Sequence, residues 1–90
     1  MHETLADSIL PDSYEFYAGC EKGKSCTTGK SCLASDECTD CSFGTCLQHA
    51  NLKLVEGFSY SLSQVCRLCT KEQLSSLKTL PNWSVYKKKG

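Results

Sequence analysis

The sequence predicts a small disulfide-rich protein: a cysteine-stapled loop block over 19–47, a β-hairpin over 51–62, and one or two short C-terminal helices over 62–80. Three observations predict it. Eight of the 90 residues are cysteine, a density that marks disulfide scaffolds. Six of the eight fall between 20 and 46, among Gly, Ser, Thr, Lys and Asp residues with neither helical nor strand periodicity. Large apolar side chains are sparse, with one Trp, three Phe and four Tyr. A chain of this size buries a modest fraction of its surface, so its stability is marginal without help, and scaffolds of this kind usually carry staples.

Ninety residues make a single domain, 1–90. Within it the pattern separates an N-terminal segment (1–12), a stapled core (14–82) and a flexible basic tail (85–90). Residues 3–10 predict a short helix, with Leu5, Ile9 and Leu10 on one side and Pro11 stopping it. From 14 to 18, Tyr14, Phe16 and Ala18 alternate with Glu15 and Tyr17, which predicts an extended segment on a small core. Residues 19–47 read as loops and tight turns, with Cys20, Cys26, Cys32 and Cys38 recurring every six residues.

Beyond the block, a three-residue loop of Glu56, Gly57 and Phe58 pairs Leu54 with Tyr60 and Leu52 with Leu62. That register gathers the apolar side chains of 51–62 on one face of a hairpin. Ser61 with Gln64 reads as a cap for a helix carrying Val65, Cys66, Leu68 and Cys69. Thr70 with Gln73 caps a second, carrying Leu74, Leu77 and Leu80 until Pro81. The last residues, VYKKKG, read as a disordered tail.

The cysteine spacing is C-x5-C-x5-C-x5-C-x2-C-x4-C-x19-C-x2-C. Eight cysteines allow on the order of a hundred pairings, so spacing alone assigns none. An even count in polar loops favours disulfides, and with them a secreted, extracellular protein. Cys66 and Cys69 stand far from the block on a predicted helix, and at least one bridge back to it is expected. The alternative is an intracellular zinc-binding interaction module. Cys38, Cys41, Cys66 and Cys69 form two CxxC pairs that suit a tetrahedral thiolate site, and His49 could serve a second site. Against it, CTDC and CRLC lack glycine-rich knuckles and four cysteines are left over. Thiol–disulfide chemistry needs a CxxC at a helix N-terminus, and neither pair is predicted in that setting.

Formal net charge is zero, but its distribution is uneven. Residues 1–19 carry Glu3, Asp7, Asp12 and Glu15 with no Lys or Arg. Residues 51–90 carry Lys53, Arg67, Lys71, Lys78, Lys87, Lys88 and Lys89 against Glu56 and Glu72. No basic stripe crosses the cysteine block, which argues against nucleic acid. No stretch approaches the ~20 apolar residues of a membrane span. The first ten residues lack the apolar region of a secretory signal. A mature secreted chain given a recombinant Met1 reconciles that with the disulfides, whereas a cytosolic start shifts the cysteines toward metal.

Chemistry-bearing motifs are few. Gly23 and Gly29-Lys30-Ser31 miss phosphate-loop spacing by one residue and have no predicted strand or helix beside them. No Ser/His/Asp arrangement is readable, so an enzyme is not expected, and no cofactor motif is present. Asn82-Trp83-Ser84 fits the N-glycosylation pattern. The expected function is that of a secreted binding protein (a signalling ligand, toxin-like effector or inhibitor) acting on a receptor or target protein through a rigid surface. Tyr14, Phe16, Tyr17, Phe58, Tyr60 and Trp83 are the candidate partner-binding residues, since aromatics dominate hot spots. Lys87, Lys88 and Lys89 offer steering toward an acidic or sulfated surface.

Overall fold

The computed structural model describes residues 13–89. The helix expected over 3–10, the rest of the N-terminal segment 1–12 and Gly90 lie outside the described residues. The alternating stretch after residue 13 forms the expected extended segment, β1 (Tyr14–Gly19). It is followed by β2 (Lys30–Ser31), β3 (Asp36–Thr39), α1 (Phe43–Lys53), β4 (Gly57–Ser61), β5 (Val65–Cys69), α2 (Lys71–Leu74), β6 (Lys78–Thr79) and β7 (Trp83–Lys88). Five strands make one antiparallel sheet in the order β1-β7-β4-β5-β3, while β2 and β6 pair separately. Four disulfides hold it: Cys20–Cys26, Cys32–Cys69, Cys38–Cys41 and Cys46–Cys66. The small disulfide-rich fold expected from composition is the one observed.

The strand period of two sorts the side chains into two layers. Phe58 pairs with Leu68 and Tyr86, and Tyr60 with Cys66 and Ser84, so these share one face. The helix α1 packs there, burying Cys46, Leu47 and Ala50. Its start is capped by Ser42, whose Oγ accepts from the Thr45 N–H at 3.1 Å. Its end is turned by Leu54 in the left-handed region, φ 54°. On the opposite face Ser59, Val85 and Cys69 meet the β2 segment. There the Cys32 N–H donates to Ser59 Oγ at 3.0 Å and Cys32 bridges Cys69.

Four expectations are corrected. The hairpin over 51–62 is absent, because residues 51–53 form the last turn of α1 and the hairpin is β4–β5, centred on residues 62–64. Leu52 and Leu54, which suggested a strand, are 82% and 73% exposed at the end of that helix. The helix expected over 62–69 is strand β5. The Ser61/Gln64 pair closes the hairpin turn instead, with the Gln64 N–H donating to the Ser61 carbonyl at 3.0 Å and Gln64 itself left-handed. The tail expected over 85–90 is ordered through Lys88 as β7, a central strand between β1 and β4, with Val85 and Tyr86 buried. Finally, the 19–47 block is not all loop, since it holds β2, β3 and the start of α1. The Thr70/Gln73 capping box forms as expected, but its helix stops at Leu74 and Lys78–Thr79 turn back as β6.

The bridges divide by reach. Cys32–Cys69 and Cys46–Cys66 join residues 37 and 20 positions apart, whereas Cys20–Cys26 and Cys38–Cys41 span 6 and 3. Loop-closure entropy ranks them accordingly. Double alanine replacement of either long bridge is expected to cost about 3–4 kcal/mol, and of Cys38–Cys41 about 2 kcal/mol. Urea unfolding of the three double variants checks this ranking, and equal losses would contradict it.

Candidate partner-binding groove

Five aromatic rings stack on the helix-covered face. Phe58 and Tyr86 lie nearly parallel with centroids 5.2 Å apart, and Tyr14 meets Phe58 edge-on at 5.3 Å. Phe43, at the start of α1, touches Phe58, Tyr60 and Tyr86 at 5.7, 5.5 and 5.1 Å. Such contacts add roughly 0.5–1.5 kcal/mol each beyond area burial. Two of the three tyrosines also bond across layers. The Tyr14 hydroxyl donates to the Val55 carbonyl at 2.8 Å, with the Ala50 carbonyl 3.1 Å away. The Tyr60 hydroxyl donates to the Cys41 carbonyl at 2.7 Å. The Tyr86 hydroxyl is buried without a partner.

The six candidate contact residues do not form one patch. Tyr14 and Phe58 are core residues; Phe58 is fully buried, while Tyr14 also lines the groove between β1 and the 21–22 loop. Tyr60 is half-buried beside Phe43. Phe16 and Tyr17 are exposed, but a bulge between Phe16 and Ala18 separates them. Phe16 packs edge-on against Tyr86, while Tyr17 takes Lys87 Nζ over its ring at 4.8 Å. Trp83 is spent structurally, with the Arg67 guanidinium 4.4 Å over its ring. Arg67 is held there by Asp36 at 2.9 Å and Ser31 at 3.2 Å.

What the face does offer is a groove in two adjoining parts. The larger, an open space of about 630 Å³, lies between β1 and the 21–22 loop, lined by Phe16, Glu21, Lys22, Tyr86 and Lys89 among others. The smaller, about 240 Å³, continues past Phe43, Tyr60, Leu62, Gln64 and Ser84. Lys22 and Tyr86 line both parts, and Lys22 Nζ sits 4.4 Å over the Phe43 ring. Phe43, Lys22 and Leu62 were not singled out from the sequence, because nothing local marks a loop lysine as resting on the first residue of a helix.

The wall that carries Lys22 is fastened at its base. Cys20 bridges Cys26, the Cys20 N–H donates to the Trp83 carbonyl, and Ser84 Oγ donates to the Cys20 carbonyl at 2.6 Å. Asn82 Oδ1 accepts from the Cys26 N–H at 3.1 Å and from Ser25 Oγ at 2.9 Å. The glycosylation candidate is therefore a half-buried clamp on this loop. Gly19, at φ 97°, permits the approach, since a Cβ there would sit 2.5 Å from the Trp83 carbonyl.

Other clusters have structural roles. Glu37 accepts from His49 Nδ1 and Lys53 Nζ, each at 2.9 Å, and these bonds, Lys53 first, hold its carboxyl below the usual range. Lys87 and Lys88 line a separate space of about 310 Å³ with Tyr17, Lys71 and Leu74. The alternative zinc site is not formed. Cys38 closes on Cys41, while Cys66 and Cys69 take different partners, so none of the four has a thiolate to donate. No group of three potential metal ligands occurs among the described residues. The CTDC pair does stand before a helix, with Cys41 preceding cap residue Ser42, contrary to the sequence expectation. No helix among the described residues is long and apolar enough to cross a membrane. Comparison with family models, with curated proteins and with solved structures finds no match to this chain.

Burial raises all three cluster phenols. Tyr60 is raised by burial alone, Tyr14 by burial and then by the charge of Glu56. Tyr86 is pushed up to about 12 by burial, with the Ser84 hydroxyl pulling the other way. A phenol raised in the fold stabilises it fully below the unfolded value near 10, and that contribution is lost as pH rises toward 12. Relative to Tyr86→Phe, the wild-type chain should lose stability across that window in denaturant melts. Parallel pH profiles would contradict this.

Proposed function

We propose that this chain is a secreted binding protein that docks a protein partner on the groove beside α1, as a ligand, inhibitor or toxin-like effector, without catalytic chemistry. The observation that carries the reading is the groove itself. Aromatic and aliphatic groups (Phe16, Phe43, Tyr60, Leu62) meet the ammonium groups of Lys22 and Lys89 on a backbone fixed by disulfides. A partner pays little ordering entropy on such a surface. Apolar contacts rimmed by polar groups are the common make-up of binding hot spots. Four disulfides are typical of secreted and extracellular proteins, which supports the compartment. Lys87, Lys88 and Lys89 add steering toward acidic surfaces.

A photoreactive residue placed at Phe16 or Leu62, against a control at Leu52 on the far end of α1, tests this docking face. In extracellular fluid or on intact cells, the first two positions should give a saturable protein adduct and Leu52 should not. Adducts from Leu52 alone, or equally from all three, would move the interface elsewhere.

A further inference from the structure

The chemistry of the groove narrows the partner, and this step rests on the docking face proposed above. We propose that the groove takes a peptide segment in which a carboxylate adjoins an aromatic or aliphatic side chain. Charge provides the first argument. Four charged residues line the larger part: Glu15, Glu21, Lys22 and Lys89. One of the two acids is paired elsewhere: Glu21 meets Lys24 at 3.4 Å, whereas Lys87, directly across the strand pair from Glu15, holds its Nζ over the Tyr17 ring. Neither Lys22 nor Lys89 pairs with a carboxylate among the described residues. Lys22 instead rests on the Phe43 ring, a weak attachment that an incoming carboxylate displaces. Among the described residues, Lys22 and Lys89 together outweigh Glu15, so the uncommitted charge of the groove is positive.

The second argument is the Tyr86 hydroxyl. The residue is 3% exposed and lines both parts of the groove, yet its hydroxyl has no hydrogen-bond partner. Ser84 Oγ lies near enough to pull the phenol's pKa down, but it does not meet hydrogen-bond geometry with the Tyr86 hydroxyl and itself donates to the Cys20 carbonyl. A buried donor left unpaired costs stability, and a phenylalanine of the same shape would avoid the cost. The hydroxyl supplies a donor for an acceptor that enters when Lys22 swings off Phe43. The third argument is the ring wall. Phe16, Phe43 and Tyr60 surround the position of Lys22, so an apolar side chain next to the carboxylate is buried as the charge pair forms.

Random-peptide display against the full disulfide-bonded chain tests this. The enriched sequences should place Asp or Glu beside an aromatic or aliphatic residue. A synthetic peptide of that consensus should bind the wild type and lose about tenfold or more in affinity for Lys22→Glu. Exchanging its acid for lysine should restore binding to that variant. Tyr86→Phe should be more stable than the wild type and bind the peptide several-fold more weakly. A consensus without an acid, no enrichment above that on Lys22→Glu, or wild-type affinity in Tyr86→Phe would overturn the proposal. With adducts still forming at Phe16 and Leu62, those results would leave the docking face standing. Loss of the adducts would remove both.

Discussion

The fold depends on β5 being crosslinked to both of its neighbouring layers. Cys66 and Cys69 are three residues apart. On a helix that spacing puts two side chains on one side, but on a strand it puts them on opposite faces. In β5 Cys66 faces α1 and bridges Cys46, while Cys69 faces β2 and bridges Cys32. All four sulfur-bearing residues are fully buried. The two bridges therefore pass through the middle of the molecule. They clamp an 11-residue helix and a two-residue strand, neither of which would be stable alone, onto the sheet.

That clamp leaves the aromatic residues with two different jobs. Those near the bridges, Phe58 and Tyr14, complete the core. Those at the margin of α1 remain partly open, because the helix is too short to cover β1 and β7. Phe43 marks this boundary, with core contacts to Phe58 and a surface contact to Lys22. The groove is thus a consequence of limited core material: a small sheet, an incomplete cover and a loop pinned by Cys20–Cys26 against the exposed remainder.

Composition made the disulfide-rich class legible, and the Thr70/Gln73 box and the extended Tyr14 segment were readable from local pattern. Strand β5 was not, because VCRLC is a short apolar run that suits helix or strand, and Ser61/Gln64 resembles a helix cap while closing a turn. The helix α1 was hidden by its composition. Its buried stripe is Cys46, Leu47 and Ala50, a cysteine and an alanine in place of larger apolar residues. Val85 and Tyr86 were overshadowed by the lysines after them, although β7 forms two ladders. The need for a bridge from Cys66 or Cys69 to the block was legible from sequence distance, and both cysteines make one. The groove was largely illegible because Lys22, Phe43 and Leu62 converge only through tertiary packing.

Mapping the disulfides in a non-reduced proteolytic digest by mass spectrometry tests the role of β5 most directly. The two-faced strand predicts separate linkages Cys46–Cys66 and Cys32–Cys69, with Cys38 joined to Cys41 and Cys20 to Cys26. A Cys66–Cys69 linkage, or exchange of their partners, would contradict the arrangement on which the fold and its groove depend.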